Sequence, residues 1–572
     1  MEKDETIPVP QGYDLATPIS SSLGLRQGLT SYGDAHFSLF LRKVFVKALG
    51  YSEDALSRPI IGIINTYSAR HHLNGGLAVD FPTISVHESF AYPTSMFLRN
   101  LMSMDTEEMI RAQPMDACIM IGGCDKTVPA QLMGGISANK PVLPLITGPM
   151  MPGSHRGKRI GACTDCRNNW AAFRAGDLDI EEISEVNEEL APTIGTCGVM
   201  GTASTMACIT AALGMMPLRV ASAPAVSSAR SRVAEETGAN AVRTARNKWK
   251  PQDILSKESF LNAIIVLQAI GGSTNAVVHL MAIANRHPKV QGVITLQTFE
   301  EVGRKTPLLV DLKPSGDNYM TDFHNAGGML ALLHTLRPLL HLSAMTITGQ
   351  TLGEILDTSP FREFPLSRQI IRPLSDPLYH SSSLIVLHGN IAPNGAVMKA
   401  SASKDRTLLS HTGPAVVFEN AADLAKRIDD PDLESIGPIG NPGMPEAGLL
   451  PIPRKLAAAG VKDMLRMSDG RMSGTAGGTI ILQVSPESAV PGSPFGIVQT
   501  GDLITCDVET RKLQLEISPD ELKARTEARR SAAGAEEKPR QRGYRGLYER
   551  SVNQAQDGAD FDFLTADGGS RD

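Results

Sequence analysis

The chain has 572 residues, 42% of them hydrophobic and 20% charged, with a mean hydropathy of −0.08. That length exceeds one ordinary hydrophobic core, so two or more domains are expected. Its 55 basic residues against 61 acidic ones give a formal net charge of −6, which offers no basic field for nucleic acid or an anionic membrane surface.

The opening Met1-Glu2-Lys3-Asp4-Glu5 is acidic and lacks both a signal-peptide core and an Arg-rich transit pattern, so the expected compartment is the cytoplasm. No apolar run downstream is long enough to cross a bilayer. Asp34 stands where it can cap a helix with an apolar face of Phe37, Phe40, Leu41, Val44 and Phe45. Pro59 to Asn65 reads as a short apolar strand. A second buried strand, Ala117 to Ile121, runs directly into Gly122-Gly123-Cys124-Asp125-Lys126-Thr127. Strands alternating with helical stretches point to an α/β layer with a parallel sheet, and ligands of such sheets gather at loops beyond the strands' carboxyl ends. The Cys124 loop lies there. From about Lys257 to His287 the pattern is helical: Ser256 can cap a helix with its face at Phe260, Ala263, Ile264, Leu267 and Ile270. Gly271-Gly272 ends it, and Ser273-Thr274-Asn275 offers the next helix a cap. From roughly 380 onward come short Val/Ile-rich runs, Leu384 to Leu387, Ala415 to Phe418 and Thr479 to Val484, separated by Gly and Pro. The expected division is an N-terminal α/β domain over 1–375 and a β-rich, barrel-like C-terminal domain over 376–572. Within the latter, a charged stretch from about 521 to 541 reads as a linker. The amphipathic segment Tyr544, Leu547, Tyr548 and Val552 then docks back on the body.

Seven cysteines, at 118, 124, 163, 166, 197, 208 and 506, make no secreted disulfide framework in a chain this long. The loop at 122–127 sets a thiolate, a carboxylate and an amine side by side. A thiolate suits iron and a carboxylate suits Mg²⁺, although a tight turn with an incidental cysteine reads equally well. Cys197 sits in a second glycine-flanked loop, Thr196 to Thr202. Cys208 follows in a helix-compatible run, where a buried structural thiol is expected. Cys163 and Cys166 form a Cys-x-x-Cys pair, a redox or zinc half-site with no second pair to complete a zinc knuckle. Gly271 to Asn275 is either an anion site at a helix start or an ordinary helix–helix turn. Asp469 to Thr475 places Ser473 in a flexible loop beside Arg471, but no Gly-x-Ser-x-Gly elbow surrounds it, so a hydrolase triad is not supported.

Six stretches, GGCDKTVPA (122–130), GTCGVMGTASTM (195–206), GGSTNAVVHL (271–280), GNIAPNGAVMK (389–399), GNPGMPE (440–446) and SDGRMSGT (468–475), together resemble the dihydroxy-acid and phosphogluconate dehydratase family, in the family's order and over nearly the whole chain. The RMSGTA wording and the ending RGYRGLY…GADFDFL are similar to its sugar-acid branch. The resemblance implies a homodimeric hydro-lyase acting on a small hydroxy acid, with the site between the domains. It implies that Cys124 and Cys197 are two of three cysteines holding a 2Fe-2S cluster. Glu88 (in SVHES), Asp125 and Glu446 match Mg²⁺ ligands, and Lys126 matches a lysine that relatives carbamylate. Ser473 matches a serine acting as alkoxide base. On that basis Mg²⁺ holds the carboxylate and C2 hydroxyl, iron with an open position takes the 3-hydroxyl, and the enol becomes the 2-keto acid.

The sequence departs from this pattern twice. Relatives carry the first cluster cysteine after the Pro59 strand, whereas here Asn65-Thr66-Tyr67-Ser68-Ala69-Arg70-His71-His72-Leu73-Asn74 has none and runs at once into Gly75-Gly76. After Asp429 to Glu434 an expected apolar strand is missing, and Ser435-Ile436-Gly437-Pro438 follows directly. Missing segments, loss of the cluster in a catalytically silent paralogue, or substitution by His71 or His72 each account for the first departure. The enzyme alternative is the dihydroxy-acid dehydratase of branched-chain amino-acid synthesis. A thiol-redox role for Cys163 and Cys166 is a further rival.

Overall fold

The computed structural model describes residues 35–48, 81–112, 115–418, 459–533 and 541–567, with single positions at 444, 452, 453 and 456. The expectations for Asp34, the Phe45 side chain, the Pro59 strand, the 65–80 departure and the 429–438 departure lie outside the described residues.

Helix α1 (Ala35–Ala48) buries Phe37, Phe40, Leu41 and Val44, the i, i+3, i+4, i+7 face read from the sequence. The face packs on α4 (Thr164–Ala175) and α5 (Ile180–Glu189), with the Phe40 ring centroid 5.3 Å from that of Trp170. Strands β1 (Cys118–Gly122) and β2 (Val142–Ile146) pair in parallel, joined through α3 (Thr127–Ala138). Helix α2 (Arg99–Ala112) packs along α3. The β1 residues begin one place later than the predicted strand, and the Cys124 loop leaves its carboxyl end as expected. Strands β3 (Gly153–His155) and β4 (Lys158–Ile160) form a small hairpin ahead of α4. Helix α6 (Thr202–Ala212) is buried throughout, and burial pushes its Cys208 thiol up to about 12, as befits a structural cysteine. Ser256 caps the helix Lys257–Ala269 as predicted, its hydroxyl accepting from the Ser259 amide.

The later strands are β5 (Ile385–Gly389), β6 (Ala392–Met398), β7 (Ser410–Pro414), β8 (Arg466–Met467), β9 (Ile480–Ser485), β10 (Leu503–Asp507) and β11 (Lys512–Leu515). They form one mixed sheet in the order β7-β10-β11-β5-β6-β9-β8, curled into a half-barrel. Strand β9 and the start of β5 are buried on both faces, whereas the edge strand β7 is largely exposed. Leu384 and Val386 join the large core around Phe260 and Phe323, while Ile385 and Leu387 point into a second core with Ile481, Leu513 and Leu515.

Two sequence expectations need correction here. The run Ala415 to Phe418 is not a strand: β7 lies ahead of it, because the polar segment Ser410–Pro414 pairs with β10. Ala415 and Val417 instead bond to the turn at Thr500 and Asp502, and Val416 is exposed. The supposed linker from 521 begins as part of a helix, Pro519–Ala533. Its Ala, Arg, Glu and Lys residues are strong helix formers, and Arg525 ties it to Asp502 at 2.7 Å. The segment Gly543–Ser551 is helical and docks as expected: Tyr548 is buried and the Tyr544 hydroxyl donates to the Phe97 carbonyl at 2.7 Å.

Residues 558–560 are held by buried guanidiniums. Arg286 pairs with Asp560 through two bonds of 2.6 and 3.0 Å, both side chains fully buried. Arg99 donates to the Gly558 and Ala559 carbonyls, each at 2.8 Å.

Candidate active site

A cavity of about 530 Å³ opens between the ends of β1 and β2, the N-terminal turn of α4, the loop before α6 and the loop carrying Ser473. Three half-buried thiols line it: Cys124, Cys163 and Cys197. Gly123 sets the first of these loops against its neighbours. A Cβ there would sit 2.0 Å from Thr147 Oγ1 and 3.3 Å from the Thr196 side chain, so only glycine lets the Cys124 and Cys197 loops approach. Burial, then the Asp125 carboxylate, pushes the Cys124 thiol well above its ordinary value. Cys163 Sγ and Cys197 Sγ are 2.8 Å apart. Cys166 is different. It is fully buried against α1, burial pushes its thiol to about 12, and its sulfur accepts the Cys163 amide at 3.2 Å. The Cys-x-x-Cys pair is thereby divided between cavity and core.

Beside the thiols lies a charged group. Lys126, fully buried at the start of α3, contacts the Asp125 carboxylate and reaches Glu88 Oε2 at 3.4 Å. Glu88 also accepts from the Ser95 hydroxyl, from Thr94 Oγ1 at 2.6 Å and from Arg471 Nη2 at 3.1 Å. Burial alone would raise its carboxyl, but Lys126 and Arg471 hold it well below the usual carboxylate range. His87, next in chain, is pushed down by burial and accepts the Ser89 amide on Nδ1 at 3.2 Å. Glu446, the third expected cation ligand, lies outside the described residues. Among the described residues no three His, Cys, Asp or Glu side chains surround a single point closely enough to hold one ion. The donor chemistry nevertheless fits the expected groups: the Glu88 and Asp125 carboxylates suit a hard divalent ion, and thiols lining the same cavity suit iron.

Ser473 enters from the far side of the sequence. Its hydroxyl shares a 2.8 Å hydrogen bond with that of Thr475, to which Arg167 Nε donates at 3.3 Å. The loop read as flexible is in fact pinned. Asp469 accepts the Ser488 amide and hydroxyl at 2.8 and 2.6 Å, Gln483 N donates to Gly470 O at 2.9 Å, and Arg471 reaches Glu88 and Thr94. Gly474 passes so close to the turn ahead of another helix that a Cβ would lie 2.5 Å from Ser273 Cβ. That helix is Asn275–Asn285, and the anion site expected at its start is already occupied internally. The Ser273 amide donates to Thr205 Oγ1 at 3.1 Å and the Asn275 amide to Ser273 Oγ at 3.2 Å. The cavity thus gathers Cys124, Cys197, Glu88, Asp125 and Ser473, with Lys126 directly behind. Sequence reasoning missed three contributors. Arg471 was visible beside Ser473 but not its bond to Glu88, 383 residues away. Arg167 and Cys163 gave no local sign of facing the same cavity.

Comparison with known proteins decides the family. Residues 60–355 match the family model described as Dihydroxy-acid/6-phosphogluconate dehydratase N-terminal, and residues 369–559 match its C-terminal counterpart. The chain belongs to the dihydroxy-acid/6-phosphogluconate dehydratase family. Members of this dehydratase family are hydro-lyases. Among its dehydratase relatives, the 6-deoxy-6-sulfo-D-gluconate dehydratase of Pseudomonas putida is 40% identical over 90% of this chain and 92% of the relative. The L-arabinonate dehydratase of Rhizobium leguminosarum bv. trifolii (strain WSM2304) is 39% identical, covering 93% and 95%. The dihydroxy-acid dehydratase of Pyrococcus abyssi (strain GE5 / Orsay) is 34% identical, covering 91% and 97%. No helix among the described residues is long and apolar enough to cross a membrane.

Proposed function

We propose that this dehydratase acts on a sugar acid, converting a 2,3-dihydroxy carboxylate to the 2-keto-3-deoxy acid. The observation that carries the reading is the convergence of Glu88, Asp125, the Cys124 and Cys197 thiols and Ser473 on one cavity. The higher identity to sugar-acid dehydratases than to the dihydroxy-acid enzyme favours a sugar-acid substrate. In this reading Glu88 and Asp125, with Glu446, hold Mg²⁺, and Lys126 joins them once its amine is carbamylated and negative. Cys124 and Cys197 hold part of a 2Fe-2S cluster. When bound, the two groups supply Lewis acidity toward the substrate's carboxylate and hydroxyl oxygens.

The chain's own residues do the rest. Ser473 Oγ, as alkoxide, takes the C2 proton. The C3–O bond breaks, the departing hydroxide gains a proton and leaves as water, and the enol tautomerises to the ketone. Thr475 orients Ser473 through their shared hydrogen bond, and Arg167 brings a permanent positive charge to that pair, favouring the ionised serine. Ile121, Leu145 and Ile146 wall the cavity with apolar surface that strengthens these interactions. The reading takes the protein as a cytoplasmic homodimer, which sedimentation of the native protein checks.

The test is anaerobic loading with iron, sulfide and Mg²⁺, followed by 2-keto acid detection across a panel of sugar acids and an alkyl-tailed 2,3-dihydroxy acid. Turnover of a sugar acid is expected. Turnover confined to the alkyl substrate makes the chain a branched-chain-pathway enzyme. Loaded protein inert toward both is a silent paralogue.

A further inference from the structure

The cavity holds one thiol besides the two that match the family's cluster cysteines. Cys163 lines it together with Cys124 and Cys197, with its sulfur 2.8 Å from that of Cys197. The sequence has no cysteine before Cys118, so the position at which relatives carry their first cluster cysteine supplies no thiolate. We propose that Cys163 is the third cysteine ligand, so that this chain's 2Fe-2S cluster is held by Cys124, Cys163 and Cys197. The inference rests on the dehydratase reading above and adds a ligand to it.

Three observations carry it. First, Cys163 has φ 86° and ψ −70°, a left-handed conformation that a residue with a Cβ seldom adopts. Such strain persists where the surroundings over-determine it. Here they do: Asp165 accepts the Gly161 amide at 2.8 Å, the Tyr319 hydroxyl at 2.7 Å and Lys313 Nζ at 2.7 Å, and the Cys163 amide is bonded to the Cys166 sulfur. That network fixes the turn with the Cys163 sulfur beside Cys197. Second, two thiols this close come within reach of a single iron. Each would release its proton to solvent on ligation, and with iron supplied as Fe(III) and sulfur as sulfide, assembly of the oxidised cluster needs no further oxidant. Third, the Cys124 thiol lines the same cavity as this pair, so all three thiols open on one space. Three thiolates leave one iron position for substrate.

The experiment loads the full chain with iron and sulfide under argon and reads iron, sulfide and the visible spectrum per chain. Wild type, Cys163→Ser, Cys506→Ala in the distant strand β10 and the double variant His71→Ala/His72→Ala are compared. Wild type, Cys506→Ala and the histidine variant are expected to take up a stoichiometric cluster, and Cys163→Ser to retain at least about tenfold less. In parallel, native alkylation with peptide mass analysis of the wild type needs no variant to fold: Cys163 is expected to be modified in the cluster-free protein and shielded in the loaded one. A fully loaded Cys163→Ser, or Cys163 equally modified in both forms, overturns the proposal while leaving the dehydratase reading intact. Loss of the cluster in the histidine variant with retention in Cys163→Ser moves the ligand to His71 or His72 and overturns it as well. Wild type that takes up no cluster overturns both this proposal and the cofactor assignment beneath it.

Discussion

Ser473 reaches the cavity held by Thr475 on one side and by a loop anchored through Arg471 on the other. Replacing it with alanine removes the proposed base without touching a thiol. Ser473→Ala is therefore expected to abolish 2-keto acid formation and to leave the visible cluster absorption unchanged; retained turnover would take Ser473 out of the mechanism. A second residue makes a prediction about stability. Lys399 follows β6, is buried, and its Nζ has no hydrogen-bond partner among the described residues. Burial lowers its pKa to about 7. Unfolded, the same amine titrates near ~10.4, so between those values the unfolded chain binds the extra proton. Folding stability therefore rises with pH across that window and is penalised below it. Lys399→Met is expected to be more stable than wild type at pH 7 by roughly 1–4 kcal/mol, with the gap narrowing towards pH 10. Denaturant titrations at the two pH values read this, and a gap that does not change with pH would sink it. At this scale the sequence singled out residues, in loops such as Gly122–Thr127, that the fold brings to one cavity. It could not show that Cys163 meets Cys197, because that neighbourhood is set by the Asp165–Tyr319–Lys313 network and not by spacing along the chain.

At the scale of elements, local signals and tertiary pairing divided the outcome. The Ser256 cap and the α1 face were legible because capping and 3.6-residue periodicity are written within one helix. The helix Pro519–Ala533 was read as a linker because its residues favour helix without forming an apolar stripe. Strand β7 was misplaced because Ser410–Pro414 has poor strand propensity and owes its conformation to β10. The close approach of the Ser473 loop to Ser273 is another tertiary fact with a measurable cost. Gly474→Ala would force a Cβ to 2.5 Å from Ser273 Cβ. Overpacking of that kind costs about 1–3 kcal/mol. The variant is expected to lose turnover chiefly through kcat, since the loop moves Ser473 away from the substrate. A change in KM alone would show that the loop only binds.

For the whole molecule, the proposed division at 375/376 does not part the cores cleanly: the half-barrel has a core of its own around Ile481 and Leu513, yet it also feeds the large core of the residues before it. Leu384, Val386 and Val397 belong to the same buried cluster as Phe260 and Phe323. A single cooperative heat transition is therefore expected, and two well-separated calorimetric peaks would contradict the shared core. The Arg286–Asp560 pair ties residues far apart in sequence. Asp560→Asn leaves a buried guanidinium without its counter-charge and is expected to cost about 3–5 kcal/mol in a denaturant titration. An unchanged midpoint would show that Glu107, 3.6 Å from Arg286, compensates.

The same clamp has a consequence for synthesis. Arg99 and Arg286 are made early, yet their partners are the carbonyls of Gly558 and Ala559 and the carboxylate of Asp560. While the ribosome is still translating the half-barrel, Arg286 has Glu107 but not Asp560, and Arg99 lacks its two carbonyl acceptors. These bonds close only once residue 560 has emerged from the exit tunnel, so a nascent chain interrupted before that point lacks the acceptors that complete the Arg99 and Arg286 sites.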